Sequence, residues 1–303
     1  MDALSDILDS VKLKAVVYRK SSFTAPWGIE MAQDSNSQFW RLLKGSCYLK
    51  VPGENTIKMD VGDFVFVPHG STHRISGKLN TACVSALQYV KALLSGKPLF
   101  QGNDEETILI GGHFEFTSPA IHPFVKSLPN VIKISNADTE VSQSLQFAAS
   151  FITNEVSEEK IGTKIILARL AEVIFILMIR AYIEQTEFKK GFLLALKDTR
   201  ISNSLKSMHE SPEKEWTLKE LAAVAGMSRS LFCLEFKRLV GETPLSYLTD
   251  WRILKAKEIL GTNKENMSEI ALRVGYKSEA AFNRLFKSKV GETPGSYRRR
   301  GTS

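Results

Sequence analysis

The chain writes one block of itself twice. Leu221 to Tyr247 reads LAAVAGMSRSLFCLEFKRLVGETPLSY and Ile270 to Tyr297 reads IALRVGYKSEAAFNRLFKSKVGETPGSY, with the two GETP tetrapeptides 50 positions apart. A repeat of this length is one supersecondary unit used twice. Each copy runs helix, glycine-containing turn, helix, the layout of a helix-turn-helix whose second helix can lie in a DNA major groove. Two such units in tandem imply a reader of two adjacent groove segments.

The local chemistry supports this reading in both copies. Thr217 with Glu220 makes a T-x-x-E capping box, Gly226 supplies the turn, and Ser228 caps the second helix. Spacing by four turns Phe232, Phe236 and Val240 inward and leaves Arg229, Ser230, Cys233, Leu234 and Lys237 facing away. In the second copy Gly275 is the turn and Ser278 the cap. Phe282, Phe286 and Val290 form the inward row, and Glu279, Ala280, Asn283, Arg284 and Lys287 the outward face. Thr243-Pro244 and Thr293-Pro294 each read as an N-cap followed by proline at the first helical position, so residues 245–260 form one helix joining the units. Charge follows the repeat: residues 203–303 hold 18 Lys and Arg against 12 Asp and Glu, a net of +6 out of +7 for the chain. That is where phosphate neutralisation needs it.

Three cysteines, Cys47, Cys83 and Cys233, are too few for a disulfide scaffold and suit a reducing cytosol. The opening MDALSDILDS lacks the basic and apolar regions of a signal peptide. The greasiest stretch, Ile165 to Ile183, is broken by Arg169, Glu172 and Arg180, whereas a membrane span needs about 20 apolar residues. The expectation is a cytoplasmic protein with no membrane anchor.

Between Trp40 and Phe116 short β-branched and aromatic runs alternate with turn residues, which predicts a small β-sandwich or barrel. After Pro129 the period changes, and Ile166, Leu170, Val173, Leu177 and Ala181 make one stripe on a helix. That stripe is either the cover of the barrel or a dimer seam, and both readings bury it. A polar hinge around Pro212 follows, with a domain boundary near residue 200.

GMS, FKRLVGETP and Tyr247 in the first copy, with VGY, AAFNRLFK, VGETP and Tyr297 in the second, resemble the DNA-binding domain of AraC/XylS-type bacterial transcription regulators. The resemblance implies that the outward faces of the two second helices read bases. Arg284 would then donate twice to guanine and Asn283 pair with adenine. Cys233 and Leu234 depart from the family's polar pattern, which shifts specificity to the second unit and leaves Arg229, Lys237 and Arg238 as phosphate contacts of the first. Arg298, Arg299 and Arg300 are either further phosphate contacts or solvated charge.

The stretch GDFVFVPHGSTH, Gly62 to His73, resembles the second sequence motif of cupin barrels. DALSDILDSVKL, APWG, GSCYL, HPFVKSLP and ARLAEVIFILMIRAYIE extend the likeness to the cupin-like sensor branch of the same family. The first cupin motif would carry a His-x-His, but Gln38-Phe39-Trp40-Arg41 stands there, so no metal and no cofactor are expected; His113 and His122 are the histidines that could join His73 in a zinc site. The resemblance implies a cup for a small effector, with Trp27, Trp40, Phe64, Phe66 and His73 as its lining; ordinary core is the other reading of these aromatics. Phe64 and Phe66 share one face of their strand, Val65 and Val67 the other. Cys47 and Cys83 are candidates for oxidant sensing or plain packing.

The expected fold is α+β multidomain, with an N-terminal cupin-like β-barrel with flanking helices and a C-terminal all-α double helix-turn-helix. Residues 1–200 make the effector and dimerisation domain (barrel about 1–135, helices about 136–200), and 201–303 the DNA-binding domain with units at 217–240 and 267–290. The implied function is transcription regulation, activation included, by a homodimer that binds double-stranded promoter DNA and RNA polymerase and answers a small effector or oxidant. The rival readings are a cupin-type metalloenzyme tethered to a DNA-targeting module and a constitutive DNA-binding protein with a structural barrel.

Overall fold

The structure, a computed structural model, describes residues 3–301 apart from 12, 25, 35, 104, 117–122, 137–138, 159, 188–190 and 263–264. Leu13–Phe116 and Leu128–Glu187 form one compact unit. Met1–Lys12, Thr117–Ser127 and Phe188–Ser303, as far as they are described, form another. Among the described residues no helix is long and apolar enough to cross a membrane.

In chain order α1 (Ala3–Val11) comes first and belongs to the second unit. The first unit follows with β1 (Leu13–Phe23), β2 (Gly28–Met31), β3 (Ser37–Lys44), β4 (Cys47–Lys50), β5 (Ile57–Met59), β6 (Phe64–Val67), β7 (His73–Ser76), β8 (Val84–Ser85), α2 (Ala86–Leu94) and β9 (Thr107–Phe116). After α3 (Pro123–Ser127), part of the second unit, come β10 (Ile132–Ile134), α4 (Glu140–Glu158) and α5 (Thr163–Gln185). The strands make two five-stranded sheets, ordered β1-β9-β3-β6-β10 and β5-β4-β7-β2-β8. Leu42, Val65, Val67 and Leu109 from the first sheet interlock with Ile29, Cys47, Leu49 and Ile75 from the second in one buried core. The result is a filled, cupin-like two-sheet cup and not an open barrel.

At β6 the first sheet is buried on both faces, so alternation of apolar and polar residues is absent there: all four residues are buried. Val65 and Val67 enter the core between the sheets. Phe64 and Phe66 point the other way, toward α4 and α5. Phe66 meets Phe175 edge-on at 5.6 Å, and Arg41 lies 5.4 Å over the Phe64 ring while donating to Thr153 Oγ1 at 3.1 Å and Gln146 Oε1 at 2.8 Å. Burial lowers the Arg41 pKa to about 10. Neither phenylalanine lines the cup interior, contrary to the sequence expectation; the period of two says which residues share a face, not which face is inside.

α5 divides its expected stripe between covered and uncovered positions. Its buried row is Leu167, Ala171, Ile174, Phe175, Met178 and Ala181, whereas Ile166 and Val173 of the expected stripe stand 42% and 46% exposed. A helix that is apolar on nearly every side does not declare its inner face through periodicity alone. Phe147 and Phe151 on α4 and Ile165 on α5 add to this uncovered apolar surface.

The second unit continues through α6 (Phe192–Lys197), α7 (Thr199–Glu210), α8 (Leu218–Val224), α9 (Arg229–Val240), α10 (Pro244–Thr262), α11 (Met267–Arg273), α12 (Glu279–Val290) and α13 (Pro294–Gly301). One buried cluster gathers Ile253, Ala256, Leu260, Ile270, Ala271, Val274, Phe282 and Phe286. Phe232, Phe236, Leu239, Tyr247 and Trp251 are buried in the other copy. α10 contributes side chains to both, so it is the shared beam of the unit.

Candidate nucleic-acid interface and effector cleft

The helix-turn-helix copies are built by matching local chemistry. Thr217 and Glu220 close a reciprocal capping box at α8. Asn266 and Glu269 close one at α11, a cap that the T-x-x-E pattern alone does not reveal. Ser228 accepts from Leu231 N at the start of α9 and Ser278 from Ala281 N at the start of α12. Gly241 and Gly291, the glycines of the two GETP segments, end α9 and α12 in the left-handed region at φ 92° and 89°, where a Cβ would be strained. The inward rows also match. Phe236 meets Tyr247 edge-on at 5.9 Å, and Phe286 meets Tyr297 in the same way at 5.7 Å.

The outward faces differ. On α12, Glu279, Ala280, Arg284 and Lys287 are exposed and Asn283 is half-buried, its Nδ2 3.5 Å from Glu279 Oε1. On α9, Arg229, Ser230 and Lys237 are exposed and Cys233 half-buried. Leu234 is 65% and Leu231 45% exposed, which makes that face markedly apolar. Leu231 and Ala281, each three positions past its cap, join these faces without having been singled out by the sequence. Arg238 is exposed, but it holds Glu235 through Nη2 at 2.7 Å. As a phosphate contact it would first have to leave this carboxylate.

The polar centre of the cup is a Trp40–His73 pair. His73 is fully buried at the start of β7. Its Nδ1 lies 2.8 Å from the Ser71 carbonyl and therefore carries the proton, which leaves Nε2 to accept from Trp40 Nε1–H at 3.0 Å. Burial lowers the His73 pKa, with the Ser71 carbonyl acting in the opposite sense. Both ring nitrogens are thus engaged, and the indole occupies the side from which a second ligand would have to approach. Among the described residues no three or more His, Cys, Asp or Glu side chains come together as a metal site. His113 Nε2 lies 3.2 Å from Glu115 Oε1 on the same strand; His122 lies outside the described residues.

The turn that aims His73 depends on Gly70. At φ +59° an added Cβ would sit 2.3 Å from the Asp34 carbonyl oxygen, and Asp34 N donates to Gly70 O at 3.0 Å. No side chain fits there.

Neither cysteine of this unit is poised as a thiolate. Cys47 is buried, and desolvation, assisted by Asp63 and Asp60, pushes its thiol up to about 12. Cys83 is half-buried; burial raises its pKa, Arg74 lowers it and Glu30 raises it. A redox switch needs the opposite environment.

Trp27, expected in the effector lining, does reach an opening. A cleft of about 470 Å³ at one end of the sheets is lined by Pro26, Trp27, Ser46, Tyr48, Lys78 and Thr107 among others. Trp27 stacks on Phe23 at 4.3 Å, and its buried Nε1–H has no acceptor among the described residues. The structure separates the five expected lining residues into three places: Trp27 at this cleft, Trp40 and His73 at the filled centre, Phe64 and Phe66 beneath the helices.

A tandem helix-turn-helix joined to a two-sheet cup defines a class of DNA-binding regulator with an attached cupin domain, and comparison with known proteins agrees. A protein-family model described as a cupin matches residues 2–184, and one described as a helix-turn-helix domain matches residues 221–300. The HTH-type transcriptional regulator AlkR of Acinetobacter baylyi is 30% identical over 98% of this chain and 99% of its own length. A putative AraC-like transcription regulator of Streptomyces antibioticus is 30% identical over 99% of each chain. The solved DNA-binding domain of AdpA, a global transcriptional factor in complex with a target DNA, is 32% identical, covering 32% of this chain and 87% of that chain with a TM-score of 0.31. The chain belongs to the AraC-like family of helix-turn-helix transcription regulators with a cupin N-terminal domain.

Proposed function

We propose that this cytoplasmic regulator reads two successive major-groove segments of promoter DNA, with α12 supplying most of the sequence discrimination and α9 mainly phosphate and shape contacts. The observation that carries the reading is the pairing of two equal frames with unequal outward faces. Arg284 and Asn283 offer base-directed hydrogen bonds on α12, while Leu231, Cys233 and Leu234 offer apolar contact on α9. Glu279, Ala280 and Lys287 complete the first face; Arg229, Ser230, Lys237 and Arg238 complete the second. Footprinting of one subunit tests it. Protection of two groove segments on one side of the duplex is expected, and protection limited to a single segment would overturn it.

The two-sheet unit, within the 1–200 expected from the sequence, serves as the sensing and pairing part, and the unit that contains 201–303 as the reading part. Two copies associate through the uncovered apolar surface of Phe147, Phe151, Ile165, Ile166 and Val173, and the bound protein contacts RNA polymerase to activate transcription. No catalysis, cofactor or metal takes part. A small effector occupies the Trp27 cleft, whose volume lies in the usual range for ligand sites. Ligand binding then shifts the balance between two arrangements of the reading parts.

The packed core between the sheets favours a second reading, constitutive DNA binding with a structural cup. A thermal-shift screen separates the two, because a ligand that binds the folded form raises its melting temperature. A compound that stabilises wild type but not Tyr48→Ala, a change in the cleft lining, supports the effector site; no hit across polar and apolar libraries favours the constitutive reading.

A further inference from the structure

One α10 side chain outside both cores sits at the seam between the two copies. Trp251 stacks on His209 at 3.8 Å in the first copy, and Ile253 is buried in the cluster of the second. Arg252 stands between them, half-buried at the seam. Its Nε donates to the Pro212 carbonyl at 2.6 Å and its Nη2 to the Lys214 carbonyl at 2.9 Å. The central carbon of the same guanidinium lies 5.6 Å over the centre of the Tyr276 ring. Pro212 and Lys214 lie in the loop that leads into α8, hence into the first copy. Tyr276 follows the turn glycine of the second.

Gly275 permits this approach. At φ +86° a Cβ there would lie 2.6 Å from Arg252 Nη2 and 2.8 Å from the Pro212 carbonyl oxygen. The turn glycine is therefore required twice, for its backbone and for the room it leaves the arginine. A second bridge crosses the same seam: Lys277 Nζ meets Glu215 at 2.5 Å, though both side chains are largely exposed and such pairs contribute little. The arginine differs in kind. A planar fork with five donors holds two carbonyls of one loop through separate nitrogens and reaches over an aromatic ring at the same time, a fixed geometry that a lysine's single ammonium does not supply.

We propose that Arg252 is a positioning residue that fixes the angular and axial register of the two reading helices, and so sets the operator spacing the protein accepts without adding to the affinity of either helix. The proposal rests on the two-segment reading above. In a rigid pair the second contact is intramolecular and its advantage is lost when geometry forbids simultaneous engagement, so a loosened seam blunts the penalty for wrong spacing.

The test uses the full-length protein and duplexes of roughly 30 base pairs, room for two groove segments one turn apart, selected from a random pool by the wild type. Affinity is measured for the selected duplex, for duplexes with one base pair added or removed between the two segments, and for duplexes scrambled in one segment. Wild type is expected to prefer the selected spacing by about tenfold or more, and Arg252→Gln by less than about threefold, with binding to half-scrambled duplexes within about twofold of wild type. Arg252→Lys, which keeps charge and stem and protects folding, is expected to show the same loss of spacing preference. Unchanged spacing preference in the folded variants overturns the proposal. So does a parallel loss on half-scrambled duplexes, which would make Arg252 a DNA contact or a mere stabiliser. Absence of a spacing preference in wild type itself would instead remove the two-segment reading beneath it.

Discussion

The two helix-turn-helix copies share a skeleton and disagree in what they show to the outside. Caps, left-handed glycines and the Phe, Phe, Tyr rows repeat with ring distances that differ by only tenths of an ångström. Outward, one copy presents exposed leucines and an arginine held by its own glutamate, while the other presents Arg284, Lys287 and Asn283. Folding and recognition are thus carried by opposite faces of the same helices. One can diverge while the other stays fixed.

The harshest way to break the comparison is to remove the skeleton. Phe236→Ala and Phe286→Ala are each expected to destabilise their copy by about 3–5 kcal/mol, as buried phenylalanines do. Thermal melts of the two variants should move down together; a large shift in only one would mean the frames are not equivalent. On the outward face the expected effects part company. Arg284→Ala should weaken binding to the selected duplex by about 1–3 kcal/mol and relax discrimination at one base pair, whereas Leu234→Ala should cost less than about 1 kcal/mol. Equal losses in fluorescence-anisotropy titrations would contradict the proposed division of labour.

A smaller effect separates the copies by pH. Only the first has a buried histidine among its described core residues: His209 Nε2 lies 2.7 Å from Tyr247 Oη, and Nδ1 lies 3.5 Å from Asp6 Oδ2 on α1. Burial lowers the His209 pKa; Asp6 raises it, Lys255 lowers it and Glu210 raises it, with burial dominant. The folded form keeps the ring neutral, while the unfolded chain takes up a proton near the ordinary value of 6.5. The stability is therefore held above that pH and falls as pH drops through it toward the lower folded value. Melting wild type and His209→Gln at about pH 7.5 and about pH 5.5, on either side of the ordinary histidine pKa, should show a larger acid-induced drop for wild type. Equal drops would remove His209 as the cause.

The second unit was legible because its signals are local. A cap, a left-handed glycine and an inward row each act within a few residues, so Thr217, Ser228, Ser278 and the GETP segments declare themselves. The cup was less legible because its decisions are made across the fold. Phe64 and Val65 are both buried, and only the placement of α4 and α5 decides which of them meets the core between the sheets. The pairing of Trp40 with His73 joins side chains 33 positions apart, and no spacing rule announces it. α1 is the extreme case: the start of the chain packs beside α7 and α10, which composition could not foretell.

The mutual engagement of Trp40 and His73 also bears on how this cup can change. Deleting the indole alone would leave one imidazole nitrogen facing aliphatic walls, with its other nitrogen still tied to the backbone of the preceding turn. Any route from here to a coordinated ion has to install several donors at once through intermediates that bury unmatched polarity. The sealed centre is a fold-level commitment, and it turns variation outward, to the rim of the sheets and the surfaces of the helices.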